Sequence, residues 1–169
     1  MIENIKLILF SFIASFGFGI VFHIRKEYLV WAGLGGALTR CCYLYLMSVI
    51  DSRFMFTLLA ALVASFYAET MAIKFKTPST VFLYPAIIPL VPGALLYNTA
   101  VNFFTSDRSA MLENAKNCMS ALIGMSIGFV LVSTFTYYRR VYFLSKEIAS
   151  RFRHHAHIKN IKTERDNTV

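Results

Sequence analysis

The chain of 169 residues has room for one domain, and it is basic, with 17 Lys and Arg against 9 Asp and Glu. Apolar residues make up 57% and charged residues 15%, whereas soluble domains average about 45–50% and about 25%. A soluble domain of this size has too much surface for its volume to bury so much apolar side chain. The composition therefore excludes soluble, disordered and collagen-like chains, and it favours a membrane protein with several spans.

Five stretches that are long and apolar enough to cross a bilayer follow one another along the chain. They cover about residues 5–24, 28–50, 54–74, 78–104 and 117–140. None alternates as a transmembrane β-strand would, so all five are predicted to be helices. We therefore expect an all-α integral membrane bundle over residues 1–145 and a basic cytoplasmic tail over residues 146–169.

The placement of Lys and Arg predicts how the chain crosses the membrane. Eight of the 17 follow the fifth span, so the C-terminus is expected to be cytoplasmic and the N-terminus outside. Attraction to anionic lipid headgroups is enough to explain the basic tail. No nucleic-acid partner is predicted, because no binding motif accompanies the charge. The tail histidines lack Cys or carboxylate at ligand spacing, so no metal site is predicted: His154, His155 and His157.

Small residues recur at four-residue spacing in most of the spans. Such faces let helices approach closely in lipid. Packing within the bundle is the favoured interpretation, and assembly with another chain is the alternative. The sets are Ser11, Ser15 and Gly19; Ala32 with Gly36 and Gly33 with Ala37; Ala60, Ala64 and Ala68; and Ser120, Gly124 and Gly128.

The fourth span contains three prolines within eight residues, Pro85, Pro89 and Pro92, and Gly93 follows directly. Each proline lacks a backbone donor, crowds the carbonyl four residues earlier and restricts the residue before it. The pattern predicts a helix that is broken near mid-membrane. The carbonyls expected to lose their helical donors belong to Val81, Pro85 and Ile88. The residues expected to leave helical geometry are Tyr84, Ile88 and Val91.

A broken helix in a membrane is tolerated where it is buried in protein or lines a polar cavity, and it commonly marks the substrate site of a transporter. A kink that only shapes the bundle is the alternative. Freed carbonyls and Asn98 could bind an ammonium or hydroxyl group of a small substrate. The predicted substrate-binding residues are Pro85, Pro89, Pro92, Gly93, Tyr97 and Asn98, together with Arg40 from the second span.

Two charged residues, Arg40 and Glu69, lie within predicted spans. A charge at the bilayer centre costs roughly 2.5–3.5 kcal/mol on insertion scales, so such residues normally face a cavity or a partner. Arg40 is predicted to hold a substrate carboxylate through its forked donors, and Glu69 is the candidate for proton coupling. Two alternatives are an ion pair between them and a Glu69 that reaches the interface. The chain carries none of the familiar nucleophile, zinc or nucleotide-binding motifs, so neither an enzyme nor a cofactor is predicted.

The fourth span also resembles the signature of a known family. The run from Thr77-Pro78 through Val81-Phe82 and Pro85–Gly93 to Tyr97 is similar to that of the threonine/serine exporter family, in its small C-terminal-type module. Gly17–Phe22, Trp31-Ala32-Gly33 and Gly35-Gly36 fit the same module. The resemblance covers roughly residues 10–140, and within it Pro85, Pro89, Pro92, Gly93 and Tyr97 match the family motif.

The resemblance implies a function and a partner. Complete exporters of this family have two modules, either fused or carried by two chains, and a short chain such as this one resembles the small half of a split system. It then implies a proton-coupled antiporter of threonine and serine, or of dicarboxylates such as succinate, in the bacterial plasma membrane with a larger partner subunit. A structural or regulatory subunit, with the substrate path in the partner, is the competing class.

Overall fold

The computed structural model describes the backbone of residues 2–166 and the side chains of residues 3–139. The helices are α1 (Ile2–Val21), α2 (Lys26–Val49), α3 (Arg53–Phe75), α4 (Thr80–Ile87), α5 (Gly93–Phe104) and α6 (Arg108–Asp166). A single 3-10 turn, Ile88–Leu90, follows α4, and no strand occurs in the described residues. The prediction of an all-α membrane bundle is confirmed. Among the described residues, four helices are long and apolar enough to cross a membrane, and α4 with α5 would make a bent fifth span.

The fifth predicted span begins earlier than its apolar stretch suggests. We expected it from residue 117, but α6 starts at Arg108. The reason is a helix cap, because the carboxylate of Asp107 accepts hydrogen bonds from the backbone N–H of Ala110 (3.1 Å) and the hydroxyl of Ser109 (2.9 Å). A segment expected to be a connector is therefore the first turns of a helix.

The chain divides into two compact units, residues 1–132 and residues 133–169. The first holds α1 to α5 and the start of α6, and the second holds the remainder of α6. The predicted tail boundary at residue 146 and the orientation of the termini stay predictions. The tail histidines lie outside the residues whose side chains are described.

The small-residue faces are the places where helices touch. Ser15 of α1 is fully buried against Gly36 of α2. In α3, Ala60 and Ala64 are completely buried, and both lie in a core cluster with residues of α4 and α6. The internal-packing interpretation of these faces is therefore confirmed for α1, α2, α3 and α6.

Helix α6 runs parallel to α3 within the first unit. Gly124 lies against the backbone of Phe54, and Gly128, one turn later, lies against Leu58 and Ala61. Residue numbers increase in the same direction along both helices at this contact, as expected for two spans separated by one intervening crossing. Glycine is needed here because the neighbouring atoms are mainly backbone, which cannot rotate away from a side chain.

Candidate substrate site at the helix break

The fourth span is broken as predicted. Helix α4 ends at Ile87, the 3-10 turn occupies Ile88–Leu90, and α5 begins at Gly93. The two halves are bent by 47°. At the junction Val91 is extended (φ −58°, ψ 123°) and Pro92 precedes α5 with φ −78° and ψ 53°. The interruption is therefore a change of helix type followed by a sharp bend.

The three prolines play different parts in this break. Pro85 lies inside α4 and is buried, Pro89 lies in the 3-10 turn, and Pro92 is the N-terminal cap of α5. The expectation that all three preceding residues leave helical geometry holds for Val91 but is wrong for Tyr84, which is within α4, and for Ile88 (φ −49°, ψ −46°). The bend therefore lies at Pro92, where the preceding residue is extended.

Two of the three carbonyls that we expected to be free have donors. The carbonyl of Pro85 accepts the N–H of Ile88, and the carbonyl of Ile88 accepts the N–H of Val91 at 3.3 Å. The tighter 3-10 turn supplies these donors three residues on, in place of the helical donor four residues on. Side chains near the break, rather than these carbonyls, are thus the better candidates to bind a ligand.

The first half of the break is buried in the bundle. Leu90 is 3% exposed and belongs to the core cluster that contains Ala60 and Ala64 of α3. Tyr43 and Leu46 of α2 pack against the same cluster. The 3-10 turn is therefore covered by protein at Leu90, whereas Val91, at the bend, is 48% exposed. Irregular backbone is tolerated in a bilayer where protein or a polar cavity surrounds it.

Arg40 lies one helical turn before Tyr43 and is partly buried. Its guanidinium carbon is 5.2 Å from the centroid of the Tyr43 ring, within the range of a cation–π contact. Tyr43 in turn borders the cluster that holds Leu90. The structure thus brings Arg40 to the level of the break, with the Tyr43 ring between them. Sequence reasoning missed Tyr43, although its spacing of three from Arg40 places both on one helix face.

Glu69 lies elsewhere. Arg40 is fourteen residues after the start of α2 and Glu69 is six before the end of α3. In an antiparallel pair with a rise of 1.5 Å per residue, this separates them by about 12 Å along the helix axes. Accordingly, the described side chains include no ion pair between the two, and that alternative is wrong for this chain.

The carboxylate of Glu69 is incompletely satisfied. Its Oε2 atom is buried and has no hydrogen-bond partner among the described residues, and the same holds for the hydroxyl of Ser65, one turn earlier on the same face. A buried carboxylate oxygen without a donor costs free energy, and a donor from a ligand or from another protein chain would relieve that cost. Ser65 is a second residue that sequence reasoning missed, and its i,i+4 spacing from Glu69 was the available signal.

The second half of the break is not covered by the bundle. None of the 12 residues of α5 is buried, and Tyr97 is 69% exposed. Asn98 is also exposed, and within the described part of the chain α5 makes no extended packing contact with α1 to α4. Gly93 has no atom within 4 Å of where a Cβ would lie. Tyr97 and Asn98 are therefore not brought together with Arg40.

Comparison with known families gives one match over most of the chain. Residues 7–135 match the family described as "Threonine/Serine exporter, ThrE". The chain belongs to the threonine/serine exporter family. No curated protein and no solved structure matches it. The match agrees with the resemblance over residues 10–140, and it includes the break, Arg40 and Glu69.

Membership of the exporter family makes this a membrane transporter-type protein. In such a protein the arrangement offers two chemically different places. At the level of the break, α2 carries Arg40, whose guanidinium could pair with an anionic group. The Glu69 face of α3 carries an acid and a hydroxyl that could bind a proton or a cation. The two places are separated along the bundle by about 12 Å.

Proposed function

We propose that this exporter-family chain is the small membrane subunit of a two-component secondary exporter of small polar metabolites. The substrate class is threonine and serine, or dicarboxylates such as succinate. The exporter works in the bacterial plasma membrane by antiport with protons, and this chain acts with a larger subunit that carries the other module. Family membership supports the transport function, and the uncovered helix α5 supports the partner.

The exposure of α5 carries the two-subunit proposal. The helix has no buried residue, yet it contains the amides of Asn98 and Asn102. An amide that faces acyl chains without a hydrogen-bond partner costs several kcal/mol. A second protein surface, with a water-filled path against it, removes that cost. The larger subunit is the occupant that we propose for this face.

The proposed mechanism is alternating access around the break. Arg40 holds a substrate carboxylate, and Asn98 and Tyr97 contact the rest of the substrate once the partner closes the site over α5. Pro85, Pro89, Pro92 and Gly93 shape the hinge. Glu69 takes up a proton from outside as the substrate leaves there, and releases it inside before the next substrate binds. Arg40 and Glu69 are both partly buried within their spans, and charges at such depth in a membrane normally face a cavity or a partner.

An efflux assay tests the proposal. The chain is expressed alone and then with a larger exporter-family subunit, and release of labelled serine, threonine and succinate is followed. Release that requires both chains supports the two-component exporter and identifies the substrate class. Release with this chain alone contradicts the half-transporter proposal. The control is the larger subunit expressed alone, and blotting of the membrane fraction checks that every chain is present there.

A structural or regulatory subunit is the second candidate, and one observation favours it. Tyr97 and Asn98 are exposed and, among the described residues, form no pocket with Arg40. Under this candidate the substrate path lies in the partner, and the uncovered α5 is only a docking surface. Substitution of Arg40 would then change assembly of the two chains and leave the affinity for substrate unchanged.

A further inference from the structure

A cluster of basic residues lies at the end of the bundle where α2 begins and α3 ends. Arg25 and Lys26 come from the first of these helix ends, and Lys74 and Lys76 from the second; all four are exposed. Glu27 is the one acid that contacts the cluster among the described side chains, at 3.9 Å from Arg25. No described carboxylate lies within 4 Å of the amine of Lys26, Lys74 or Lys76. The patch, which we call the basic rim, therefore keeps a strong excess of positive charge.

Aromatic rings join the two halves of the basic rim. Tyr28 and Trp31 of α2 both contact Phe75 of α3, with ring centroids 5.1 and 5.7 Å apart. Arg25 lies over Tyr28 at 5.9 Å, and the amine of Lys74 lies over the Trp31 ring at 4.3 Å. Arg25 and Lys74 therefore lie over different rings, and these rings are joined into one aromatic cluster because both contact Phe75.

We propose that the basic rim binds the headgroup of an anionic phospholipid. The phosphodiester is the chemistry that matches a set of ammonium and guanidinium donors with no nearby acid. Trp31 lies five residues into α2, about 8 Å below the helix start, at the depth where tryptophan meets the acyl chains. An acyl chain can therefore contact the Trp31 ring while the phosphate reaches the lysines above it. Basic patches at the membrane surface attract anionic lipids by about 1 kcal/mol per charge.

The chain supplies its own probe, because Trp31 is the single tryptophan. The purified full chain is placed in phosphatidylcholine vesicles that contain a fixed mole fraction of a lipid with brominated acyl chains. In one set of vesicles the brominated lipid is phosphatidylglycerol, and in the other it is phosphatidylcholine. Bromine quenches tryptophan fluorescence on contact. A headgroup site predicts stronger quenching by the brominated anionic lipid than by the brominated neutral lipid. Equal quenching by the two lipids overturns the proposal.

Variants locate the effect. The double substitution Lys74→Gln and Lys76→Gln is expected to reduce the preference for anionic lipid about 30-fold, which corresponds to about 2 kcal/mol for the two charges removed. Lys74→Arg with Lys76→Arg should keep it, since charge is retained. The matched control is Arg108→Gln with Lys116→Gln, which removes two exposed charges at the start of α6, away from the basic rim. A preference that survives in the Lys→Gln variant, or is lost equally in the control, contradicts the proposed site.

One further arm of the experiment separates the lipid from soluble phosphate. Soluble glycerol phosphate at millimolar concentration should leave the quenching ratio unchanged. It has no acyl chain to hold it at the membrane beside Trp31, so it should not displace the lipid. Full displacement by it would mean that the site takes free phosphate, and the lipid proposal would fall. The quenching by anionic lipid is divided by the quenching by neutral lipid for the same variant. A change in the fluorescence of Trp31 caused by a Lys74 substitution therefore cancels in this ratio.

Discussion

The carbonyl oxygen of Phe54 lies 2.6 Å from the point where a Cβ on Gly124 would be placed. Helices α3 and α6 therefore touch backbone to backbone at this level. Since membrane helices gain little from burying apolar surface against each other, such close approach and its dispersion contacts are what hold the pair together. The relation makes Gly124 a position where a single methyl group is too large.

Replacement of Gly124 by Ala is expected to destabilise the bundle by about 1–3 kcal/mol, the usual range for overpacking a tight contact. Thermal unfolding of the purified protein in detergent measures the change. Gly17→Ala is the matched control, because nothing lies within 4 Å of its added Cβ and alanine favours the helix. A Gly124→Ala protein as stable as Gly17→Ala would mean that α3 and α6 are not in backbone contact.

The features that could be predicted from sequence are those with local causes. Apolar stretches define the spans, and three prolines in eight residues define the break, because each acts within one helical turn. The small-residue faces also identified Gly124 and Ala60 as packing positions. Their partners could not be predicted, since the Gly124–Phe54 contact joins residues seventy positions apart.

The remaining differences have physical reasons of their own. The start of α6 was missed because its first turns are polar, and the cap at Asp107 outweighs that polarity. The geometry at Ile88 was mispredicted because a 3-10 turn satisfies its backbone without leaving the helical region. The exposure of α5 has no sequence signal, since its composition matches that of a buried span.

The cap at Asp107 predicts a pH dependence. The hydrogen bonds from Ala110 and Ser109 lower the pKa of this carboxyl below its usual value of 3.8. A lowered pKa means that the stabilisation is fully present above about pH 4 and is lost as the pH falls through the folded pKa. Asp107→Ala is therefore expected to speed amide hydrogen exchange at Ala110 at neutral pH. The difference from the parent protein should shrink in acid; a constant difference at every pH would contradict the cap.

Removal of Pro92 tests whether the break serves transport. Pro92→Ala restores a donor at the bend, and a continuous helix gains about 3 kcal/mol relative to the proline form. Efflux is expected to fall steeply while membrane insertion and assembly persist, as measured in the two-chain assay. Pro78→Ala is the control, because Pro78 is exposed ahead of α4. Wild-type efflux in a normally assembled Pro92→Ala protein would show that the bend is only structural.

Substitution of Arg40 distinguishes the two candidate functions. A charge-assisted hydrogen bond is worth about 1.5–3 kcal/mol, so Arg40→Gln is expected to raise the KM for substrate about 10- to 100-fold. Arg40→Lys keeps the charge but loses the forked pair of donors, so its KM should lie between those of the parent protein and Arg40→Gln. Substrate-concentration series in the efflux assay give the KM. An unchanged KM with reduced recovery of the complex would instead favour the structural subunit.

Glu69 is expected to carry the coupling proton, and the amide in Glu69→Gln cannot do so. Net efflux driven by a pH gradient should be lost in this variant, because each outward step requires a proton to move inward. Exchange of labelled for unlabelled substrate moves no net proton and should persist. Glu113→Gln, an exposed acid near the start of α6, controls for the loss of one carboxylate. Loss of exchange together with net efflux in a correctly inserted Glu69→Gln protein would assign Glu69 to substrate binding or bundle stability instead of coupling.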